Sequence, residues 1–308
     1  MLDVCLLGTG GMMPMPDRFL SSVMLRFNGR LILVDCGEGT QVTLKSKGWG
    51  FKAIDAIVFT HYHADHISGL PGMLLAIANA KREKPLKLIG PKGLIEVVTA
   101  LRTIAAELPY DIEYIVLDEP DKKVMIGDIE VKYTAACHSV ECLAYRFDVI
   151  RAGKFDIDKA SQLDVPKQYW SKWQNGETVN YNGTAYPPET VMGDARKGIS
   201  VSFCTDSRPF DGISDFVKDS DLFICEGMYG DDAKLSKAEL NKHMLFSEAA
   251  KAAFDGNVSL LWLTHFSPSL SEPEEYCEFV KSIFPNTVIG RDRLSASLYF
   301  NGKIVYTD

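Results

Sequence analysis

Apolar positions along this chain fall into two spacings. Short, mostly apolar runs at residues 2–8, 23–27, 31–34, 56–59, 86–89 and 112–117 are each bounded by Gly, Pro, Asn or Asp. That is the length and punctuation of buried strands. Between them the spacing turns helical, over 37–47, 67–80 and 94–106; in the last, Leu94, Val97, Val98, Leu101 and Ile104 share one face. Asn28-Gly29 and Gly127-Asp128 predict tight hairpins, the second between arms at 124–126 and 129–134. A strand over 142–150 follows. After residue 198 the rhythm resumes, with strands at 199–204, 222–225 and 259–263 and helices over about 242–254 and 272–284. Short strands at 287–289, 295–300 and 304–306 close the chain. Strands alternating with helices in both halves predict a single α/β domain over 1–308, a four-layer αββα sandwich with two facing sheets and helices outside.

Residues 151–198 interrupt this pattern. They are rich in Gly, Pro, Asn, Lys and Asp, carry Trp170 and Trp173, and show no sustained period. A stretch this long without core elements is a functional excursion or a disordered insert. Its seven basic residues against six acidic ones leave +1 in a chain whose formal charge is −8.

The strand ends carry the chemistry. The run 56–59 leads into Thr60-His61-Tyr62-His63-Ala64-Asp65-His66, three imidazoles and a carboxylate in six positions at a strand-to-helix turn. Such a turn fans its side chains around one point, and this donor mixture is that of a metal site. Its His-x-His-x-Asp-His pattern resembles the metallo-β-lactamase superfamily, in which the first pair serves one zinc and the Asp-His pair a second. Three further strand tips present ligand-type residues: His138 after 129–134, Asp206 after 199–204, and His265 after 259–263. A carboxylate can bridge two cations roughly 3.5–4 Å apart, with an activated hydroxide between them. The expected arrangement is His61, His63 and His138 on one metal, Asp65, His66 and His265 on the other, and Asp206 bridging. Two Zn²⁺ are the expected ions, with Mn²⁺ or another divalent ion also suited to these ligands. Asp35, closing the strand 31–34 beside a Gly-rich turn, is either a helix cap or a partner for the histidine loop. Gly8-Thr9-Gly10-Gly11 precedes Pro14-Met15-Pro16 and predicts an extended loop rather than a nucleotide-binding turn.

Composition narrows the class. Hydrophobic residues make up 46% and charged residues 24% of 308 positions, so a sizeable core is expected. The net charge of −8 argues against binding nucleic acid over a broad basic surface, though not against a local basic contact. Seven scattered cysteines without a Cys-x-x-Cys, no apolar run long enough for a membrane span and no leader pattern predict a cytoplasmic protein with free thiols.

Order and spacing resemble ribonuclease Z, the endonuclease that trims the 3′ ends of transfer RNA precursors, over nearly the full length. The likeness rests on 7–11, on Leu33 through Gln41 with its Gly-Glu-Gly-Thr-Gln, and on 60–72. It continues through Ala136-Cys137-His138, Arg196-Lys197-Gly198, the 204–209 run containing Asp206-Ser207-Arg208-Pro209, and His265-Phe266-Ser267-Pro268. The resemblance implies hydrolysis to a 3′-hydroxyl on the transfer RNA and a 5′-phosphate on the trailer, by a cytoplasmic homodimer. It implies that Asp65 orients or deprotonates the water and that His243 with Glu226 gives a proton to the leaving oxygen. It makes 151–198 a flexible arm gripping the substrate, and Arg18, Lys154, Lys167 and Lys172 candidate substrate contacts. Three elements depart from the family pattern: the loop Pro14-Met15-Pro16-Asp17-Arg18-Phe19 lacks the usual Lys and Asn, Gln168-Tyr169 replaces a Gly-Pro hinge, and Cys225-Glu226-Gly227-Met228 replaces His-Glu-Ala-Thr. A second reading is a related metallo-hydrolase of small phosphodiesters or esters. A third is a metal-stabilised RNA-binding protein without turnover, which needs only four closed ligands where this chain offers seven.

Overall fold

The strand Leu2–Gly8 is buried at all seven positions, which requires cover on both of its faces. Cys5 and Leu7 point into a cluster with Leu44, Leu70, Leu74 and Val98 from the helices outside. Val4 and Leu6 point the other way and are equally inaccessible. The same alternation recurs at Leu31 and Leu33 against Ile32 and Val34, so the sheet has helices on one side and a second sheet on the other.

The computed structural model describes residues 1–119, 122–194 and 196–307. Two compact units share the chain: Met1–Asp148 with Ile199–Asp308, and Val149–Gly198. Among the described residues of the larger unit, one eight-stranded sheet runs Ile304–Thr307, Ser295–Leu298, Leu2–Gly8, Ser22–Phe27, Arg30–Val34, Ile54–Val58, Leu86–Gly90, Ile112–Val116. A seven-stranded sheet runs Thr287–Ile289, Leu261–Thr264, Leu222–Glu226, Ile199–Cys204, Leu143–Val149, Ile129–Ala135, Val124–Ile126. Tyr145 ties the sheets by donating its hydroxyl to the Phe59 carbonyl at 2.7 Å. Outside the second sheet, Phe246, Ala249, Ala250 and Ala253 of one helix pack with Val280 of another. The result is the four-layer αββα sandwich.

Parallel pairing matters most for function. Arg30–Val34, Ile54–Val58 and Leu86–Gly90 are parallel neighbours, as are Ile199–Cys204, Leu222–Glu226 and Leu261–Thr264. Parallel strands end at one edge, and open α/β sheets present their ligands there.

Several predicted helices are shorter than their periodicity. The helix expected over 67–80 is two, Ala64–Ile67 and Leu70–Asn79. They break at Gly69, whose N–H donates to the Cys36 carbonyl at 2.9 Å, and where a Cβ would collide with the Gly37 carbonyl. The helix expected over 94–106 tightens to 3₁₀ geometry after Leu101, and that over 272–284 begins as 3₁₀ at Pro273–Tyr276. The helix expected from about 242 starts only at Phe246; an unpredicted one, Leu235–Asn241, precedes it and buries only Ala238. With one inward residue it leaves no apolar period to read.

The smaller unit contains the helices Ile157–Ser161 and Trp170–Gln174 and a hairpin of Val179–Tyr181 with Thr184–Tyr186. Ala160, Val165, Trp173, Val179 and Val191 form its own core, and the Trp173 indole donates to the Tyr186 carbonyl at 2.9 Å. The absence of core elements expected for 151–198 is thus corrected. No helix or strand among those named exceeds five residues, too few for periodicity to register.

Candidate metal centre

The strand tips converge as their parallel order requires. His61, His63, His138 and Asp206 offer one donor atom each within 4.8 Å of one another, and so do Asp65, His66, Asp206 and His265. Asp206 belongs to both sets, with its two oxygens divided between them. Oδ2 lies 3.8 Å from Nε2 of His61 and of His138, while Oδ1 lies 3.1 Å from Nε2 of His66 and of His265. Asp65 Oδ2 completes the second group, 3.7 Å from His66 Nε2 and 3.4 Å from His265 Nε2.

The donor chemistry fits divalent cations. Ring nitrogens face one another at 3.2 Å between His66 and His265 and at 3.3 Å between His138 and His63. Two lone pairs at such a distance need a proton or a cation between them. His61 Nε2 is fully buried with no hydrogen-bond partner, an orphan that a cation would satisfy. Burial, with His66 beside it, pushes the His61 imidazole down to about 2, and burial lowers His138 as well. Burial would raise Asp206 and Asp65, yet His265 and His66 outweigh it and hold both carboxyls low. Neutral imidazoles beside ionised carboxylates are the protonation states that metal binding demands. His66 differs: burial opposes its charge, but Asp206 and Asp35 hold its proton well above the usual range, and a cation would take that proton's place.

Backbone strain marks the same edge. Asp35, Asp206 and His265 all have positive φ, at 56°, 48° and 58°, a conformation that costs a non-glycine residue of order 1–3 kcal/mol and clusters at functional sites. Gly11 lies flat against the His265 ring, where a Cβ would sit 2.6 Å from Cε1. The next residue, Met12, donates its N–H to Asp65 Oδ2 at 2.7 Å. The loop after the first strand therefore holds two members of the second set.

Asp35 serves the histidine loop rather than a helix. The following helix is capped by Gly39, with no side-chain cap bond. The Asp35 carboxylate instead accepts the N–H and hydroxyl of Thr60, both at 2.8 Å, and lies 2.8 Å from His66 Nδ1. It fixes the His66 tautomer so that Nε2 faces the centre. Asp35→Ala should cost about 3 kcal/mol, since it leaves buried donors unsatisfied. Denaturant unfolding should show an earlier midpoint with an unchanged m-value; a shift under 1 kcal/mol would deny Asp35 this role.

Glu226 and His243 stand beside the second set. His243 Nδ1 is 3.1 Å from Glu226 Oε2, and the other Glu226 oxygen accepts the Ser207 N–H. The His243 ring stacks on His265 with centroids 5.5 Å apart. Burial would lower this imidazole, but Glu226 overcomes it and raises it to about 9. His243 does not begin a helix: it follows Lys242, which has φ 62°, in the connector between Leu235–Asn241 and Phe246–Asp255. A cleft of about 390 Å³ opens over His63, Asp65, His138, Asp206 and His243, with Tyr229, Leu240 and Asn241 on its wall. The sequence pointed to none of those last three.

Of the four candidate substrate contacts, Arg18 alone lies in the larger unit, and there its guanidinium is held by a loop rather than by the donor sets. Arg18 donates to the Leu270 and Ser271 carbonyls at 2.8 and 3.1 Å and lies over the Phe266 ring. Lys154, Lys167 and Lys172 belong to the smaller unit. Lys167 Nζ sits 5.5 Å from the Trp170 ring and Lys172 Nζ 5.9 Å from the Tyr169 ring.

Comparison with known proteins shows near full-length relatives. The chain is 52% identical over 303 residues to ribonuclease Z of Lachnospira eligens, covering 98% of this chain and 100% of that one. It is 52% identical over 299 residues to ribonuclease Z of Clostridium acetobutylicum, covering 95% and 97%. A family model described as anti-Pycsar protein Apyc1 matches residues 2–145. Among solved structures, human tRNase Z, short form, superposes with a TM-score of 0.68 at 24% identity, over 96% of this chain and 98% of that one. The metallo-β-lactamase fold protein YhfI of Bacillus subtilis gives 0.69 at 20% identity, over 96% and 99%.

Proposed function

The chain belongs to the ribonuclease Z family, and from that premise we propose that it is a metal-dependent endoribonuclease acting at the 3′ end of transfer RNA precursors. The observation that carries the reading is the division of Asp206 between two His/Asp donor sets beside the Glu226–His243 pair. His61, His63 and His138 would hold one cation, Asp65, His66 and His265 a second, and Asp206 both; two Zn²⁺ suit this mixture. Such cations, when bound, lower the pKa of water towards neutrality and offset the charge of the phosphodiester. Asp65 orients the attacking water and accepts its proton. His243, held by Glu226, gives a proton to the departing 3′ oxygen, so the transfer RNA leaves with a 3′-hydroxyl and the trailer with a 5′-phosphate.

The smaller unit supplies the RNA grip in this reading. Two lysines, Lys167 and Lys172, flank two aromatic residues, Tyr169 and Trp170, the combination that tracks a phosphate backbone. Reversing both charges (Lys167→Glu with Lys172→Glu) should raise KM for the RNA about tenfold at low salt and leave kcat within about twofold. A fall in kcat with KM unmoved would remove the arm from substrate binding.

A homodimer is the assembly this reading favours; Leu75, Ile95 and Ile104 are exposed apolar residues that a second copy could cover. Seven free cysteines fit the reducing cytoplasm. Among the described residues no helix is long and apolar enough to cross a membrane. The deciding experiment gives the purified protein a transfer RNA precursor and bis(p-nitrophenyl) phosphate. Cleavage of the RNA at its acceptor end supports the reading. Hydrolysis of the small ester alone would make the protein a general phosphodiesterase, and no hydrolysis of either would leave an RNA-binding protein.

A further inference from the structure

The tripeptide Asp206-Ser207-Arg208 touches every part of the site. Asp206 reaches both donor sets and the Ser207 N–H holds Glu226. Arg208 Nη1 donates to the His243 carbonyl at 2.7 Å. The same guanidinium forms a two-armed pair with Glu248, Nη1 to Oε2 at 2.7 Å and Nη2 to Oε1. Glu248 Oε2 also accepts the Leu245 N–H at 2.9 Å. The connector between the two helices is thereby gripped at His243 and again at Leu245 by one ion pair. Both partners are shielded, with 14% and 20% of their side-chain surface exposed, so water competes weakly for the fork. The connector needs this hold: it leaves the preceding helix through Lys242 at φ 62°, and the Lys242 carbonyl lies 3.2 Å from His138 Nδ1. Apart from this pair the connector is held by the His243 N–H, which donates to the Ala238 carbonyl at 2.9 Å, and by the Met228 N–H, which donates to the Met244 carbonyl at 3.1 Å; neither bond holds the His243 carbonyl.

We propose that Arg208, locked by Glu248, is a positioning residue that sets where the His243 ring stands against the leaving oxygen. This rests on the reading of His243 as proton donor. In the step concerned, water oxygen bonds to phosphorus, the P–O3′ bond breaks, and the departing 3′ oxygen takes the His243 proton while Asp65 receives one from the water. A planar fork holds one backbone carbonyl and both oxygens of a carboxylate in one fixed geometry, whereas an ammonium, a point charge on a flexible stem, does not fix them.

Arg208→Met, Arg208→Lys and Glu248→Gln, with His243→Ala as reference, test this on two substrates. A 3′ oxygen leaves poorly without a proton, whereas nitrophenolate departs as the anion. Arg208→Met and Arg208→Lys should lower kcat on the RNA roughly 10- to 100-fold, the scale of a misplaced catalytic group. KM should stay within about twofold, metal content unchanged, and bis(p-nitrophenyl) phosphate turnover should fall no more than about threefold. Glu248→Gln should shift both substrates in the same direction but by less. Equal losses on the two substrates, or none, would overturn the proposal. A second readout is independent of turnover: the downfield Nδ1–H proton resonance of His243, hydrogen-bonded to Glu226, should shift or broaden in Arg208→Met. An unchanged resonance overturns the placement. If His243→Ala itself spares the RNA reaction, the donor reading fails, and the resonance alone decides what Arg208 does.

Discussion

Asp206→Ala should strip metal from the centre and abolish hydrolysis of both RNA and small phosphodiesters, by roughly 1,000-fold or more, because it removes a ligand from both cation sets at once. No other side chain in the cluster has this double reach. Its Oδ1 stands 3.1 Å from two imidazole nitrogens and its Oδ2 3.8 Å from two others. His63→Ala should be a partial version, removing one donor from the first set only, so the second cation should persist while activity is lost. Metal analysis of the purified variants, with kinetics on bis(p-nitrophenyl) phosphate, separates the two. Asp206→Asn guards against misfolding, since Asn tolerates the left-handed backbone at φ 48° better than Ala does. An Asp206→Ala protein that kept two ions and full activity would contradict the bridging assignment.

Every proposed ligand could be read from the sequence for a physical reason. His61, His138, Asp206 and His265 each sit one to three residues past a strand, after Ile54–Val58, Ile129–Ala135, Ile199–Cys204 and Leu261–Thr264, and His63, Asp65 and His66 follow His61 in the same turn and the short helix it opens. A strand is a rigid lever with a fixed direction, so a residue at its tip is nearly placed once the strand is recognised. The hidden residues depend on chain reversals that carry no apolar period. His243 was expected to open a helix, but the helix before it is almost wholly exposed, and the next begins three residues later at Phe246. Asp35 had two plausible tasks, and what decides between them is Thr60, a residue 25 positions away. The Arg208–Glu248 pair spans 40 positions, and no local pattern announces a partner at that distance. The core of the smaller unit escaped because Trp173 collects neighbours from elements too short to repeat.

Glu226→Gln and His243→Ala should each lower kcat on the RNA by about 10²–10⁴-fold, the range of a lost general acid, with KM and metal content little changed. Glu226 is wholly buried and offers one oxygen to the Ser207 N–H and the other to His243 Nδ1. It therefore does two things for the imidazole: it fixes the ring, and it supplies the negative charge that keeps a proton on a group burial would otherwise neutralise. Gln retains an acceptor for the ring but not the charge, so Glu226→Gln isolates the electrostatic part; Glu226→Ala removes both and should be the more harmful. Since the two residues act as one unit, the double variant Glu226→Gln/His243→Ala should be no slower than the worse single one. Multiplied losses in the double variant would mean independent roles. A His243→Ala protein with weakened RNA affinity and an intact single-turnover rate would make the imidazole a substrate contact instead. The distinction reaches back to Arg208, because a residue that places a proton donor matters only for leaving groups that need the proton.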